Sequence, residues 1–352
     1  MKTMAQLRPA PNLSRIATSL GVSVATVSNA LSGKGRVSEQ LAGKIREHAA
    51  ELGYVPSQAG RALRTGRSGV LGLVLPDIAN PLFPKIAQAI EFAAASAGYG
   101  VLIADSRGNV SAQTEAINRL VERGVDGMVI VPRRATRISA ASCPVAVIDT
   151  PSTPGNTVAA DHWQGGQLIA AHLADLGHKR ILIIGNNPES NVQNDRSGGI
   201  RSGLRPGMSA ETLWIEKLEH RAGSGCPLGL AKKVEEGFTA FAALSDLQAL
   251  RALTELQRDG IDVPAEASVT GFDDLIWSPV ITPALTTVKM DMDLIAAIAV
   301  SALLDSIKTN STREGALVTA ENDRVPMQLI ARQSSGPVSP GSRKPADGEL
   351  LT

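Results

Sequence analysis

The stretch LSRIATSLGVSVATVSNALSGKGRVS, residues 13–38, holds two short helical patterns broken at Leu20-Gly21-Val22-Ser23. Leu13, Ile16, Ala17 and Leu20 fall on one helical face. Asn12 precedes them and can accept a bond from a free amide, and Gly21 stops the helix. Ser23 caps a second helix, in which Val24, Val27 and Leu31 share one arc while Ala25, Thr26 and Asn29 point the other way. Gly33 and Gly35 end it. Ser38 caps a third helix with Leu41, Ile45, Ala49 and Leu52 on one face and Gly53 after it. Two short helices across a Gly-containing turn make a helix-turn-helix, and the third helix supplies apolar area that they need. The small polar outer face of the second helix suits close approach to a major groove, where Asn and Thr bond base edges. A generic three-helix packing unit is the alternative.

Charge bears on that choice. The 352-residue chain has a net charge of +1, but residues 1–67 hold ten Lys/Arg against three Glu. The head is therefore +7 and the remaining 285 residues −6. Such a polarised molecule presents its head to a polyanion and turns its body away. A solvated basic surface with no partner fits the charge equally well.

The segment GVSVATVSNALSGKGRVSEQLAGKIREHAAELGYVPSQAGRALRTGRSGVLGLVLPDIANPLF resembles the N-terminal part of the LacI/GalR family of bacterial transcriptional regulators. The matches run through Ala17, Gly21-Val22-Ser23, Thr26-Val27-Ser28, Leu31, Val37-Ser38, Leu52-Gly53-Tyr54, Pro56 and Leu63. The chain departs at Ser32 and Ser57, where the family usually has Asn. The resemblance makes the second helix a recognition helix. Val24, Ala25 and Asn29 become base readers; Ser23, Thr26 and Ser28 contact phosphates or adjacent bases. Val24 and Ala25 offer only apolar contact, so Asn29 carries most hydrogen-bond readout. The resemblance also makes residues 57–67 a hinge that folds when two copies pair over DNA. It implies DNA contacts for Ser57, Arg61 and Arg64, and a minor-groove wedge for Leu63. Alone, this segment is too short for a stable helix.

From residue 69 the pattern alternates between strands and helices. GVLGLVLP, YGVLIAD, VDGMVIVP and CPVAVID read as strands of one series; KRILIIGN, FTAFAAL and ASVTGFD belong to a second that begins near Asp161. Repeated β-α-β units imply parallel sheets covered by helices, and two series imply two lobes with a cleft at the strand carboxyl ends. The fold class is α/β: a three-helix head followed by a two-lobed core of parallel sheets. PDIANPLF, HLADLGHKRILIIG, VTGFDD and PALTTV extend the resemblance over residues 12–332, and the core resembles periplasmic sugar-binding proteins, as the family's does. The expected domains are 1–56 (head), 57–67 (hinge), 68–332 (core) and 333–352 (disordered tail). Lobe 1 takes 68–161 and 289–322, with the late helix 293–308 returning to it; lobe 2 takes 162–288 and 323–332.

A hydroxylated ligand needs polar groups at strand ends and apolar surface for its C–H faces. Asn80, Phe83, Asp149 and Asp273 stand at such places, and the resemblance adds Arg196, whose DRSGGI matches the family's R-x-x-G-F. Ser245 replaces the Asn usual before its helix, which removes a two-way hydrogen-bonding group. Each position has a plainer reading: Asp149 or Asp273 as helix caps, Arg196 paired with Asp195, Phe83 as core. The stretch EHRAGSG offers Arg221 as a partner for an acidic sugar.

Other classes find less support. Cys143 and Cys226 show neither metal spacing nor a disulfide framework. SGKGRVSE lacks the third glycine of a dinucleotide loop, and no H-E-x-x-H or G-x-S-x-G occurs. An enzyme, a cofactor and a metal are therefore not expected. MKTMAQLRPAPN lacks an apolar signal region, which points to the cytoplasm rather than a secreted solute receptor. The tail lacks the leucine heptads that join dimers into tetramers. The expected protein is a homodimeric regulator, most simply a repressor. It binds a pseudo-palindromic operator on double-stranded DNA, under allosteric control by a sugar, sugar acid or related small molecule in the cleft. An inducer and a co-repressor act by the same linkage with opposite sign.

Overall fold

The computed structural model describes residues 12–33, 37–54, 66–136, 138, 141–153, 155–309, 317–318 and 324–338. The chain divides into two compact units after Ser68.

In the first unit, α1 (Leu13–Leu20), α2 (Val24–Ser32) and α3 (Glu39–Glu51) each start at a capping side chain. Asn12 accepts from the Arg15 amide at 2.9 Å, Ser23 from Thr26 at 3.0 Å and Ser38 from Leu41 at 3.4 Å. These bonds satisfy amides that have no partner within the helix. Gly21, at φ 63°, takes the left-handed turn between α1 and α2. Ile16, Ala17, Val27, Ala30, Ala42, Ile45 and Ala49 form the buried core. Val24 is 44% exposed, unlike the buried Val27 with which it shares an arc. It occupies the first turn of α2, where Val27 and Ala30 are the residues turned inward.

The second unit contains two lobes. In lobe 1, β1 (Val70–Leu75), β2 (Gly100–Asp105), β3 (Gly127–Ile130) and β4 (Val145–Val147) form a parallel sheet in the order β2-β1-β3-β4. It packs against α4 (Leu82–Ser96) and α5 (Val110–Glu122). The chain then enters lobe 2 through β5 (Ala159–Ala160), α6 (His162–Asp175), β6 (Arg180–Gly185), α7 (Asn191–Ser202), β7 (Ser209–Trp214) and α8 (Ile215–Ala222). It continues with α9 (Leu230–Glu235), β8 (Ala240–Ala243), α10 (Asp246–Arg258), β9 (Ser268–Phe272) and β10 (Thr286–Lys289). The helix α11 (Met292–Lys308) packs on α4, β3 and β4, and β11 (Arg324–Val325) and β12 (Gln328–Ile330) follow.

The lobe 2 sheet has the order β12-β10-β9-β8-β6-β7, parallel except for β12 against β10. Strands β5 and β11 pair with each other where the chain passes between the lobes. Lys289 pairs with Gln328 inside the lobe 2 sheet, so the return to lobe 1 comes after residue 289. Strands β1, β3, β4, β6 and β8 are mostly apolar and almost wholly buried, as strands covered on both faces must be; β9 is wholly buried but carries Ser268 and Thr270.

Helices α6 and α7 touch backbone to backbone. A Cβ on Gly199 would stand 2.1 Å from the Trp163 carbonyl oxygen, and one on Gly166 2.3 Å from that of Arg196. Only glycines permit this approach.

The expected disordered tail starts too early at residue 333. The Gln333 and Ser334 amides donate to the Ala284 carbonyl at 2.9 Å, and that of Val338 to Leu176 at 3.0 Å. Ser334 is fully buried. Small hydroxylated residues read as solvated tail, but here their hydroxyls serve as internal bonding partners. Residues 339–352 lie outside the described residues, as do Ser57, Arg61, Leu63 and Arg64 of the expected hinge.

Candidate functional site

Helix α2 presents Ser23, Val24, Ala25 and Asn29 as exposed residues, with Thr26 and Ser28 half-buried beside them. The Ser23 and Thr26 hydroxyls lie 2.8 Å apart and hold each other at the helix start. Amides at a helix N-terminus favour an anion there, and phosphate is the anion of a duplex backbone.

A cleft of about 1020 Å³ opens between the lobes of the second unit, at the carboxyl ends of strands from both sheets. Asn80, Phe83, Asp149, Arg196, Ser245 and Asp273 all line it.

Arg196, on α7, is 2% exposed. Its Nη2 donates to Asp273 Oδ1 at 2.9 Å and its Nη1 to the Leu244 carbonyl at 2.7 Å. Its Nε donates to His162 Nδ1 at 3.3 Å, and the guanidinium lies 4.7 Å from the Phe272 ring centre. Burial, and then the arginine charge, hold His162 well below the usual histidine range, so it is a neutral acceptor. Asp273 follows β9 at φ 102°, a conformation sparse for a side-chain-bearing residue. Its amide donates to the Val288 carbonyl at 2.9 Å. Arg196 therefore turns inward to Asp273 and not outward to Asp195.

Asp149 accepts from the Thr153 hydroxyl at 2.5 Å and, across the lobes, from Asn191 Nδ2 at 3.5 Å. Burial raises its pKa, while those two bonds pull it back. Asn80 Oδ1 accepts from the Leu82 amide at 3.1 Å and shapes the start of α4. Phe83 is half-buried, with one side on the core and the other on the cleft. Ser245 caps α10, accepting from the Gln248 amide at 3.4 Å and donating to Gln248 Oε1. Gln248, so bonded to Ser245, also lines the cleft.

Arg221 is exposed at the end of α8 and is not part of the lining, which overturns its assignment to the ligand. The arginines that do line the cleft beside Arg196 are Arg133 and Arg134. Their signal was in the sequence: they follow β3 at its carboxyl end, after Val131 and Pro132. His162, Asn191, Gln248 and Met290 were not foreseen either. Behind the cleft, Asp246 is fully buried. It accepts from the Leu275 amide at 2.9 Å, the Ser278 hydroxyl at 2.6 Å and the Thr287 hydroxyl at 2.5 Å. Burial, and then the charge of Asp273, push its pKa up to about 7.

Among the described residues, three sets of polar ties cross between the lobes. Arg134 pairs with Glu189 at 2.7 Å, Asn191 reaches Asp149 and Thr153, and Lys85 Nζ donates to the Asp274 carbonyl at 3.0 Å. Among the described residues, no cluster of His, Cys, Asp and Glu is arranged to hold a metal. None of their helices is long and apolar enough to cross a membrane.

A helix-turn-helix head joined to a two-lobed, cleft-bearing body defines the class of DNA-binding regulators with a ligand-binding core. Comparison with known proteins agrees at both ends of the chain. Residues 12–57 match the model of bacterial regulatory proteins of the lacI family, and residues 170–335 match the periplasmic binding protein-like domain. The HTH-type transcriptional regulator MalR of Streptomyces coelicolor is 31% identical over 350 residues, covering 94% of this chain and 98% of MalR. The HTH-type transcriptional repressor CytR of Escherichia coli is 29% identical over 316 residues, covering 87% and 92%. A lac repressor dimer bound to operator and the anti-inducer ONPF superposes with a TM-score of 0.76 at 26% identity, covering 93% of this chain and 99% of that one. The chain belongs to the LacI family of bacterial transcriptional regulators.

Proposed function

We propose that this chain is a cytoplasmic, non-enzymatic repressor that grips a pseudo-palindromic operator as a homodimer and changes that grip when a small molecule fills the cleft. The observation that carries the reading is the outer face of α2. Val24, Ala25 and Asn29 are exposed there, which supports reading them as the residues that meet base edges. Ser23, Thr26 and Ser28 then serve the neighbouring phosphates, and Ser57, Arg61, Leu63 and Arg64 serve the hinge.

Two features of the body support the dimer. Phe92 is 73% and Ile103 48% exposed in lobe 1, and Ile276 is 88% and Val280 74% exposed in lobe 2. Large apolar side chains left this open suit coverage by a second copy. The lac repressor, similar over most of its length, is a dimer on its operator.

The effector reading rests on the cleft. Asp149, Asp273 and Arg196 supply polar groups, Asn80 and Ser245 lie on opposite walls, and Phe83 offers an apolar face. The effector acts only through its different affinity for two lobe arrangements. The polar ties between the lobes are where those arrangements differ in bonding.

Selection of duplexes from a random pool by the full chain tests the reading. A pseudo-palindrome should emerge, and Asn29→Ala should relax one position per half-site by roughly 1–3 kcal/mol. A pool that shows no enriched sequence contradicts it.

A further inference from the structure

Among the described residues three arginines line the cleft, and two of them have a carboxylate partner. Arg134 pairs with Glu189 at 2.7 Å and Arg196 with Asp273 at 2.9 Å. Among the described residues Arg133 pairs with none, and its Nε is buried with no hydrogen-bond partner. Glu216, also lining the cleft, feels the Arg133 charge, yet its carboxylate is bonded to Asn186 Nδ2 at 3.1 Å.

The loop bearing Arg133 is firmly built. Gln113 on α5 is fully buried. Its Nε2 donates to the Val131 carbonyl at 3.0 Å, and its Oε1 accepts from the Arg133 amide at 2.8 Å and the Thr136 hydroxyl at 2.5 Å. The Thr136 amide closes the turn onto the Arg133 carbonyl at 3.0 Å, with Ala135 at φ 71°. One buried amide thus clamps the loop at three points. A clamped backbone lowers the ordering cost of any ligand the side chain receives.

A buried donor without an acceptor is costly, and a ligand that supplies the acceptor recovers that cost. A neutral hydroxyl would satisfy Nε but leave the charge unmatched. A carboxylate or phosphate meets the planar guanidinium with two parallel bonds. We propose that Arg133 is an anion-holding subsite of the cleft, so that the effector is a hydroxylated small molecule carrying a carboxylate or a phosphate. The proposal rests on the reading of the cleft as the effector site.

The test is isothermal titration of the full chain with matched pairs: galacturonate against galactose, gluconate against sorbitol, glucose 6-phosphate against glucose. Wild type is compared with Arg133→Gln and Arg133→Lys, with circular dichroism confirming the fold of each. At least one anion should bind roughly 10- to 100-fold tighter than its neutral partner, the range of a charge-assisted bond. Arg133→Gln should erase that preference, and Arg133→Lys should retain part of it. Which pair responds separates carboxylate from phosphate. No anion preference in wild type, or a preference that survives Arg133→Gln, overturns the proposal, and so does a panel that gives no binding. Neutral binding lost in Asp273→Asn, with no anion preference, removes the subsite but keeps the cleft. Binding indifferent to both Asp273→Asn and Arg133→Gln removes both readings.

Discussion

Arg196 and Asp273 are 77 residues apart in sequence and 2.9 Å apart in space, with both side chains about 3% exposed. One comes from a helix of lobe 2 and the other from the end of a strand, so the pair ties the cleft wall to the sheet. The pair is structural before any ligand arrives. Removing one partner of a buried pair strands the other charge and typically costs about 3–5 kcal/mol. Asp273→Asn tests this with little change of shape, because Asn tolerates positive φ. Urea unfolding should show a loss of that order together with weakened effector binding. A loss below about 1 kcal/mol would mean that Arg196 finds another partner or water.

Asp246 sets a pH dependence. Its folded pKa, about 7, lies above the ordinary value of 3.8. Between those values the folded form holds a proton that the unfolded form has released. Its contribution is fully present below about pH 4 and is lost as pH rises through about 7, a swing on the order of 4 kcal/mol. His178 opposes it: burial lowers its pKa to about 4, so it favours folding increasingly as pH rises from there toward 6.5. The difference in stability between wild type and Asp246→Asn, followed from pH 4 to 8, isolates the aspartate. The difference should shift against wild type as pH rises, and a flat one would contradict the assignment. In Asp273→Asn the window should move down, because one of the charges raising this pKa is gone.

The contact between the helices His162–Asp175 and Asn191–Ser202 links packing to the site. Gly199→Ala would push a methyl against the Trp163 carbonyl at 2.1 Å, which the backbone cannot accommodate without moving. Overpacking costs about 1–3 kcal/mol, and more where the backbone resists. The displaced helix carries Arg196 and Asn191. Thermal unfolding and effector titration should therefore both worsen. A stable variant with unchanged affinity would show that the two helices separate freely.

The parts of this molecule governed by local rules were legible in the residues. Asn12, Ser23 and Ser38 cap helices because their side chains answer amides three residues on, and the apolar strands have the continuity that burial on both faces demands. What escaped reading depends on partners distant in sequence. The helix bearing Arg196 reads NVQNDRSGGIRS, too polar and glycine-rich to stand out, and its glycines make sense only against Trp163 and Gly166. Strand Ser209–Trp214 and helix Ile215–Ala222 lie in the same unread stretch. Asp246 became visible only when Ser278 and Thr287 were brought to it. Asn80, Phe83, Asp149 and Asp273, read from strand ends, line the cavity because the rule that places ligands there follows from topology, and Arg196 and Ser245, named through the family resemblance, line it too. The same rule, applied one strand further, would have included Arg133.

Coupling of head and cleft through differential affinity is measured most directly as operator affinity of the full chain across salt, with and without a cleft ligand. Log affinity should fall linearly with log salt, with a slope near −0.9 for each phosphate neutralised. At fixed salt, saturating ligand should move operator affinity by roughly 5- to 150-fold, and operator should change ligand affinity by the same factor. A ligand that binds the cleft tightly while operator affinity stays unchanged at every salt concentration would show that head and cleft are uncoupled.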